Sequence, residues 1–157
     1  MRRDFGIVFT KIDMSKSMEI VTGVIKADQI RDEIPIIADL LTRHDIQLID
    51  VMYGRGCNLE LDGLYKEFLI NARSLQSFVE GSVRQNIYKY GESDLWINST
   101  DQAVIFQLSH ESRIHFRTSD ESFLKDVRST WILQDFPGYD RIAKRWVPWT
   151  TAKISTS

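Results

Sequence analysis

The sequence predicts an α+β fold in which a mostly antiparallel sheet packs against about three helices, and three observations carry that reading. Apolar residues recur at spacings of three and four in three separate windows. Short β-branched and aromatic runs, joined by short polar links, fill most of the remaining chain. Between two such runs stands Asp62-Gly63, a dipeptide suited to a tight hairpin turn.

Taken in order, residues 5–12 and 18–25 are rich in β-formers and flank a polar segment at 13–17, which reads as an opening hairpin. From residue 28, Ile30, Ile34, Ile37 and Leu41 fall on one face of a helix ending near His44. Pro35 either kinks that helix or marks the first turn of a shorter one, because proline has no N–H to donate. Residues 46–53 read as a strand that breaks at Gly54-Arg55-Gly56. Residues 57–61 read as another, joined through the Asp-Gly turn to residues 64–70. A helix beginning at Gly63 competes, since Leu64, Phe68, Leu75 and Val79 also satisfy helical spacing.

Ser74 is suited to cap a helix over residues 75–90 that turns Leu75, Phe78, Val79, Val83, Ile87 and Tyr90 inward, with Gly91 as its stop. Residues 94–98, 103–110 and 113–118 are three strands whose links are too short for crossovers, so they form an antiparallel meander. Ser119 caps a last helix over 120–133, with Asp120 and Glu121 where the helix dipole favours negative charge. Its buried stripe is Phe123, Leu124, Val127 and Trp131. The regular pattern ends at Phe136-Pro137-Gly138-Tyr139, leaving residues 136–157 as an aromatic, basic tail. Val104, Phe106, Leu108, Ile114 and Phe116 complete the predicted core.

A chain of 157 residues fits one domain, and 43% hydrophobic with 27% charged residues is a globular rather than a disordered composition. The single cysteine, Cys57, cannot form an internal disulfide, and the apolar run at 5–9 is too short for a signal peptide. Both point to the cytoplasm, where Asn98-Ser99-Thr100 reads as a turn rather than a glycosylation site. No run approaches the roughly 20 apolar residues that a spanning helix needs, so no membrane partner is expected. The net charge of −2 is unevenly spread: nine acids face four bases between residues 28 and 67, whereas residues 141–157 carry four bases and no acid. Such asymmetry arises on solvated helix faces and also marks an acidic face for a basic partner.

Motifs for chemistry are weak. His110-Glu111-Ser112-Arg113-Ile114-His115 has three residues between Glu and the second His where the zinc-protease motif has two. On a helix that spacing separates the rings, and on a strand it puts them on opposite faces, so no metal is expected. Gly54-Arg55-Gly56 lacks the further glycine and capped helix of a phosphate loop. Cys57 has no catalytic signature around it and reads as a core residue. On a strand over 113–118, Arg113, His115 and Arg117 share one face as a cationic stripe, opposite Ile114 and Phe116. Three cations on a slightly acidic chain make nucleic-acid binding the weakest of the alternatives.

Asp94-Leu95-Trp96-Ile97, residues 103–110, His110-Glu111-Ser112-Arg113-Ile114-His115-Phe116 and the helix that follows resemble small α+β immunity proteins encoded beside bacterial toxins. The resemblance covers residues 94–131 and rests on a strand-strand-strand-helix rhythm. It implies a non-catalytic cytoplasmic protein, with no cofactor, that neutralises a cognate toxin, often a basic enzyme, by direct binding. The candidate partner contacts are Asp39, Asp50, Glu60 and Asp62 in the acidic span, Arg113, His115 and Arg117 on the stripe, and Trp146 and Trp149 in the tail, because aromatic side chains and arginine dominate binding hot spots. A small hydrolase-like enzyme is the alternative, and it requires a pocket where a histidine and a carboxylate converge.

Overall fold

The computed structural model describes residues 17–59, 66–140 and 145–148. Among them, six strands form one antiparallel sheet: β1 (Met18–Val21), β2 (Leu48–Tyr53), β3 (Phe68–Asn71), β4 (Leu95–Ser99), β5 (Val104–Leu108) and β6 (Ile114–Thr118), in the order β1-β6-β5-β4-β2-β3. Three α-helices accompany them: α1 (Ala27–Arg43), α2 (Leu75–Arg84) and α3 (Glu121–Leu133). The fold is α+β, and β4, β5 and β6 form the expected meander.

Alternation along the strands decides which face the helices cover. Ile49, Val51 and Tyr53 of β2 are buried, as are Leu95 and Ile97 of β4, Phe106 and Leu108 of β5, and Ile114 and Phe116 of β6. They join Ile30, Ile34, Ile37 and Leu41 of α1, Leu75 and Val79 of α2, and Phe123, Val127 and Trp131 of α3 in one apolar cluster. The opposite face carries Asp50, Met52, Trp96, Asn98, Ile105, Gln107, His115 and Arg117, and among the described residues no helix packs on it. Of the residues predicted to turn inward, Phe78, Val83, Ile87 and Tyr90 are only partly buried.

Several boundaries differ from expectation. α1 continues through Pro35, so the proline neither starts a shorter helix nor ends this one; it removes one backbone donor from a helix whose apolar stripe holds it in place. Ser74 makes no side-chain cap; a 3-10 turn (Ala72–Ser74) precedes α2, and Asn71 Oδ1 accepts from the Arg73 N–H instead. α2 then stops at Arg84 rather than near 90, because Asn86 takes a left-handed φ of 60° and swings Tyr88 into the core. Gly91 (φ 78°) lies beyond this stop. Asp120, not Ser119, caps α3, its Oδ1 accepting from the N–H groups of Ser122 and Phe123.

Residues 64–70 were expected to pair with 57–61. Phe68–Asn71 pairs with β2 instead, Leu69 opposite Asp50, which puts Phe68 and Ile70 on the core side. Residues 57–59 form no strand. Asn58 donates from its backbone N–H to Ile87 O and from Nδ2 to Asn86 O, which satisfies the carbonyls just beyond α2. Asp62-Gly63 and residues 5–12 lie outside the described residues. Of the expected opening hairpin, the described part is β1, which lies at the described edge of the sheet beside β6. Past Phe136 the regular pattern does not end: β7 (Pro137–Asp140) pairs with β8 (Arg145–Pro148), and Thr22 bridges to Gly138.

Among the described residues no helix is long and apolar enough to cross a membrane.

Candidate functional site

The two ends of the sheet carry a histidine–carboxylate pair each, built in different ways. At one end, where β2 and β5 begin and β4 and β6 finish, His44 follows the last turn of α1. Its Nε2 lies 2.7 Å from Asp126 Oδ2 on α3, and its ring stacks on Phe123 with centroids 4.2 Å apart. The pair links two helices that the sequence separates by 82 positions. Beside it opens a hollow of about 510 Å³ lined by His44, Asp45, Leu48, Asp101, Asp120 and Phe123, among others.

Local structure explains why three aspartates meet there. Asp45 sits at φ 61° just past α1, a conformation that aspartate tolerates. Asp101 holds the β4–β5 turn, its Oδ1 accepting from Ser99 Oγ and the Ala103 N–H. Asp120 caps α3. Each is placed by a turn or cap role, yet among the described residues none of the three has a salt-bridge partner. Leu48, 51% exposed, forms part of the wall and continues onto the open sheet face, where Leu69 is 60% exposed.

At the other end, the Gly54-Arg55-Gly56 turn wraps around Asp94. The Asp94 carboxylate is nearly buried, and its Oδ1 accepts from both the His110 backbone N–H (2.7 Å) and Nδ1 (2.9 Å), so the ring nitrogen facing it carries the proton. Glycine is required twice here. A Cβ on Gly54 would lie 2.4 Å from the Trp96 ring, and Gly56 combines φ 82° with a Cβ position 2.2 Å from Glu92 O. The Cys57 thiol lies 3.6 Å from Asp94 O, and burial pushes its pKa up, the opposite of what a nucleophilic thiolate needs.

A third polar link is buried between α1 and α3. Glu33 is fully buried, with Oε2 accepting from Trp131 Nε1 (3.1 Å) and Oε1 from Gln134 Nε2 (2.7 Å). Burial pushes its carboxyl up to about 7, against two neutral donors that favour the charged form. The helical periodicity of 28–44 gave no sign of it, because a carboxylate at position 33 interrupts the stripe only once.

The candidate contacts of the sequence do not converge. Asp39 lies on the solvent side of α1, 2.9 Å from Arg43 Nε, whereas Asp50 lies on the open face with the sheet between them. His115 and Arg117 share that face as expected, but Arg113 precedes β6, and the stripe is not purely cationic. Glu19 of β1 stands 3.6 Å from His115 Nδ1 and 3.7 Å from Arg117 Nη2. Glu60, Asp62 and Trp149 lie outside the described residues, and Trp146 falls in β8. Among the described residues no three histidine, cysteine, aspartate or glutamate side chains are grouped to hold a metal. Sequence reasoning missed Asp45, Asp101 and Asp120, each of which reads as ordinary turn or cap chemistry until the sheet brings them together.

No protein-family model, no curated protein and no solved structure matches this chain.

Proposed function

We propose that the protein is a non-catalytic binding domain of the immunity type, and that it neutralises a basic toxin domain by docking it at the His44 end of the sheet. The observation that carries this reading is the combination of Asp45, Asp101 and Asp120, unpaired with any described cation, and the exposed apolar side chains of Leu48 and Leu69 on the adjoining face. Carboxylates held by turns and a cap steer a cationic surface without reorganising, and neighbouring apolar area supplies contacts that hold it. Asp50, opposite Leu69 in register, extends the acidic character onto the open face.

The hydrolase alternative draws on the same hollow, where a histidine and carboxylates do converge. Against it, His44 spends Nε2 on Asp126 and one ring face on Phe123, which is the work of a helix clasp. The two readings separate experimentally. The chain carrying Asp45→Asn, Asp101→Asn and Asp120→Asn together keeps every turn and cap acceptor while losing three charges. Immobilised parent protein incubated with lysate of the source cell is expected to retain a basic protein whose activity an equimolar amount of the parent blocks, and the triple variant to lose both effects. Equal retention and blocking by the variant, or no retained protein at all, refutes the binding reading. Turnover of a substrate that His44→Gln abolishes supports the hydrolase.

A further inference from the structure

The pairing register lays two rows across the open face: Asp50, Asn98, Ile105, Arg117 and Glu19 in one, Met52, Trp96, Gln107 and His115 in the next. Over them lies a second hollow, of about 270 Å³. Asn98 lines it, is only 4% exposed, and its Oδ1 accepts no hydrogen bond from any described residue. A buried acceptor without a donor costs folding free energy, and asparagine is in any case a poor residue for the middle of a central strand. Leucine has a similar shape and would avoid both costs. The turn beyond β4 does not explain the choice, since Ser99 and Asp101 supply its hydrogen bonds.

The remaining walls indicate what the donor belongs to. Met52, Trp96 and Ile105 contribute apolar area, and Gln102 and Gln107 add two more carboxamides at the rim. Arg117, a fixed cation of the lining, stands 3.7 Å from the Glu19 carboxylate, and the His115 ring faces the same oxygen at 3.6 Å, so the Arg117 and Glu19 charges offset each other, which favours an uncharged polar ligand over a free anion. Apolar surface for a plane, carboxamides for its edge and a carboxylate for hydroxyl groups is the chemistry that recognises a nucleobase with its ribose. We propose that this hollow binds a nucleobase, an edge N–H donating to Asn98 Oδ1 and the ribose hydroxyls facing Glu19. The inference goes beyond the protein-binding reading and shares none of the three aspartates on which that reading depends.

The test is a titration of the full chain with adenosine, guanosine, cytidine and uridine in turn, following side-chain carboxamide resonances by NMR. At least one nucleoside is expected to shift the Asn98 and Gln107 signals saturably. Asn98→Leu is expected to abolish the response while melting at or above the parent temperature, and Gln107→Leu, at the rim, to weaken binding at least tenfold. The site is refuted by the absence of a saturable shift with all four, or by an undiminished response of the Gln107 signal in Asn98→Leu or of the Asn98 signal in Gln107→Leu. A short single-stranded RNA of the preferred base that binds more tightly than the nucleoside identifies a strand as the source, and weaker binding identifies the free nucleoside; both outcomes support the nucleobase.

Discussion

The His44 end and the His110 end of the sheet use the same two side chains to opposite effect. At the His110 end the carboxylate is the buried member: Asp94 is wrapped by a glycine turn and spends one oxygen on two N–H groups of the same residue. At the His44 end the histidine is the more buried member, 15% exposed against 42% for Asp126, and the surrounding aspartates remain open to solvent in a large hollow. A histidine beside a carboxylate is therefore no signature of chemistry by itself. What distinguishes the ends is which partner is desolvated and how many charged groups are left without an internal partner.

The sharpest way to break this comparison is to remove each carboxylate in turn. Asp94→Ala is expected to destabilise the fold by about 3 kcal/mol, because it deletes a buried charged acceptor and orphans two donors. Asp126→Ala, acting on a half-exposed pair, is expected to cost less than about 1 kcal/mol. Equal losses in denaturant unfolding would erase the distinction.

Next in size is the pH response of the α1–α3 contact. Glu33 has a folded pKa raised to about 7 from an ordinary 4.5, so the native state holds its proton more tightly than the unfolded state. Its contribution is full below about pH 4.5 and is lost as pH rises towards 7, a change on the order of 3 kcal/mol. Glu33→Gln is expected to remove that slope and to be more stable than the parent at pH 8. A slope unchanged in the variant would assign the pH dependence elsewhere.

A smaller effect is expected from Gly56→Ala, about 2 kcal/mol, from a left-handed φ and a carbonyl in the way of the new methyl group. Thermal melting beside Gly81→Ala, at a helical glycine with open space around it, separates backbone strain from a generic glycine effect. Smallest of all, Asp50→Lys is expected to change stability by less than about 0.5 kcal/mol while slowing association with a basic partner, read by stopped-flow at low salt. Unchanged association would remove Asp50 from the docking surface.

The sheet meander and the three helices were legible because their signals are local. Ile30, Ile34, Ile37 and Leu41 declare a helical face, and 104–108 and 114–118 alternate as half-buried strands. Pairing partners were less legible. Asp-Gly argued for a hairpin between 57–61 and 64–70, yet β3 gained more by closing the sheet beside β2, a long-range choice that the intervening residues do not announce. Caps failed by one residue at Ser119 because Asp120 offers a better acceptor to the same N–H groups. The site was the least legible part. Asp45, Asp101 and Asp120 are 75 positions apart at the extremes and meet only because strands and helices end on the same side.

β1 carries a consequence for the order of assembly. Its partner β6 lies about a hundred positions downstream, with Met18 opposite Thr118, and Thr22 is held by Gly138 further still. Closing such a loop costs entropy that only a preformed β6 edge can offset, whereas β4, β5 and β6 zip through turns of a few residues. The first described strand to leave the ribosome is thus among the last to be secured. Through most of synthesis its hydrogen-bonding edge waits for a template that has yet to be made.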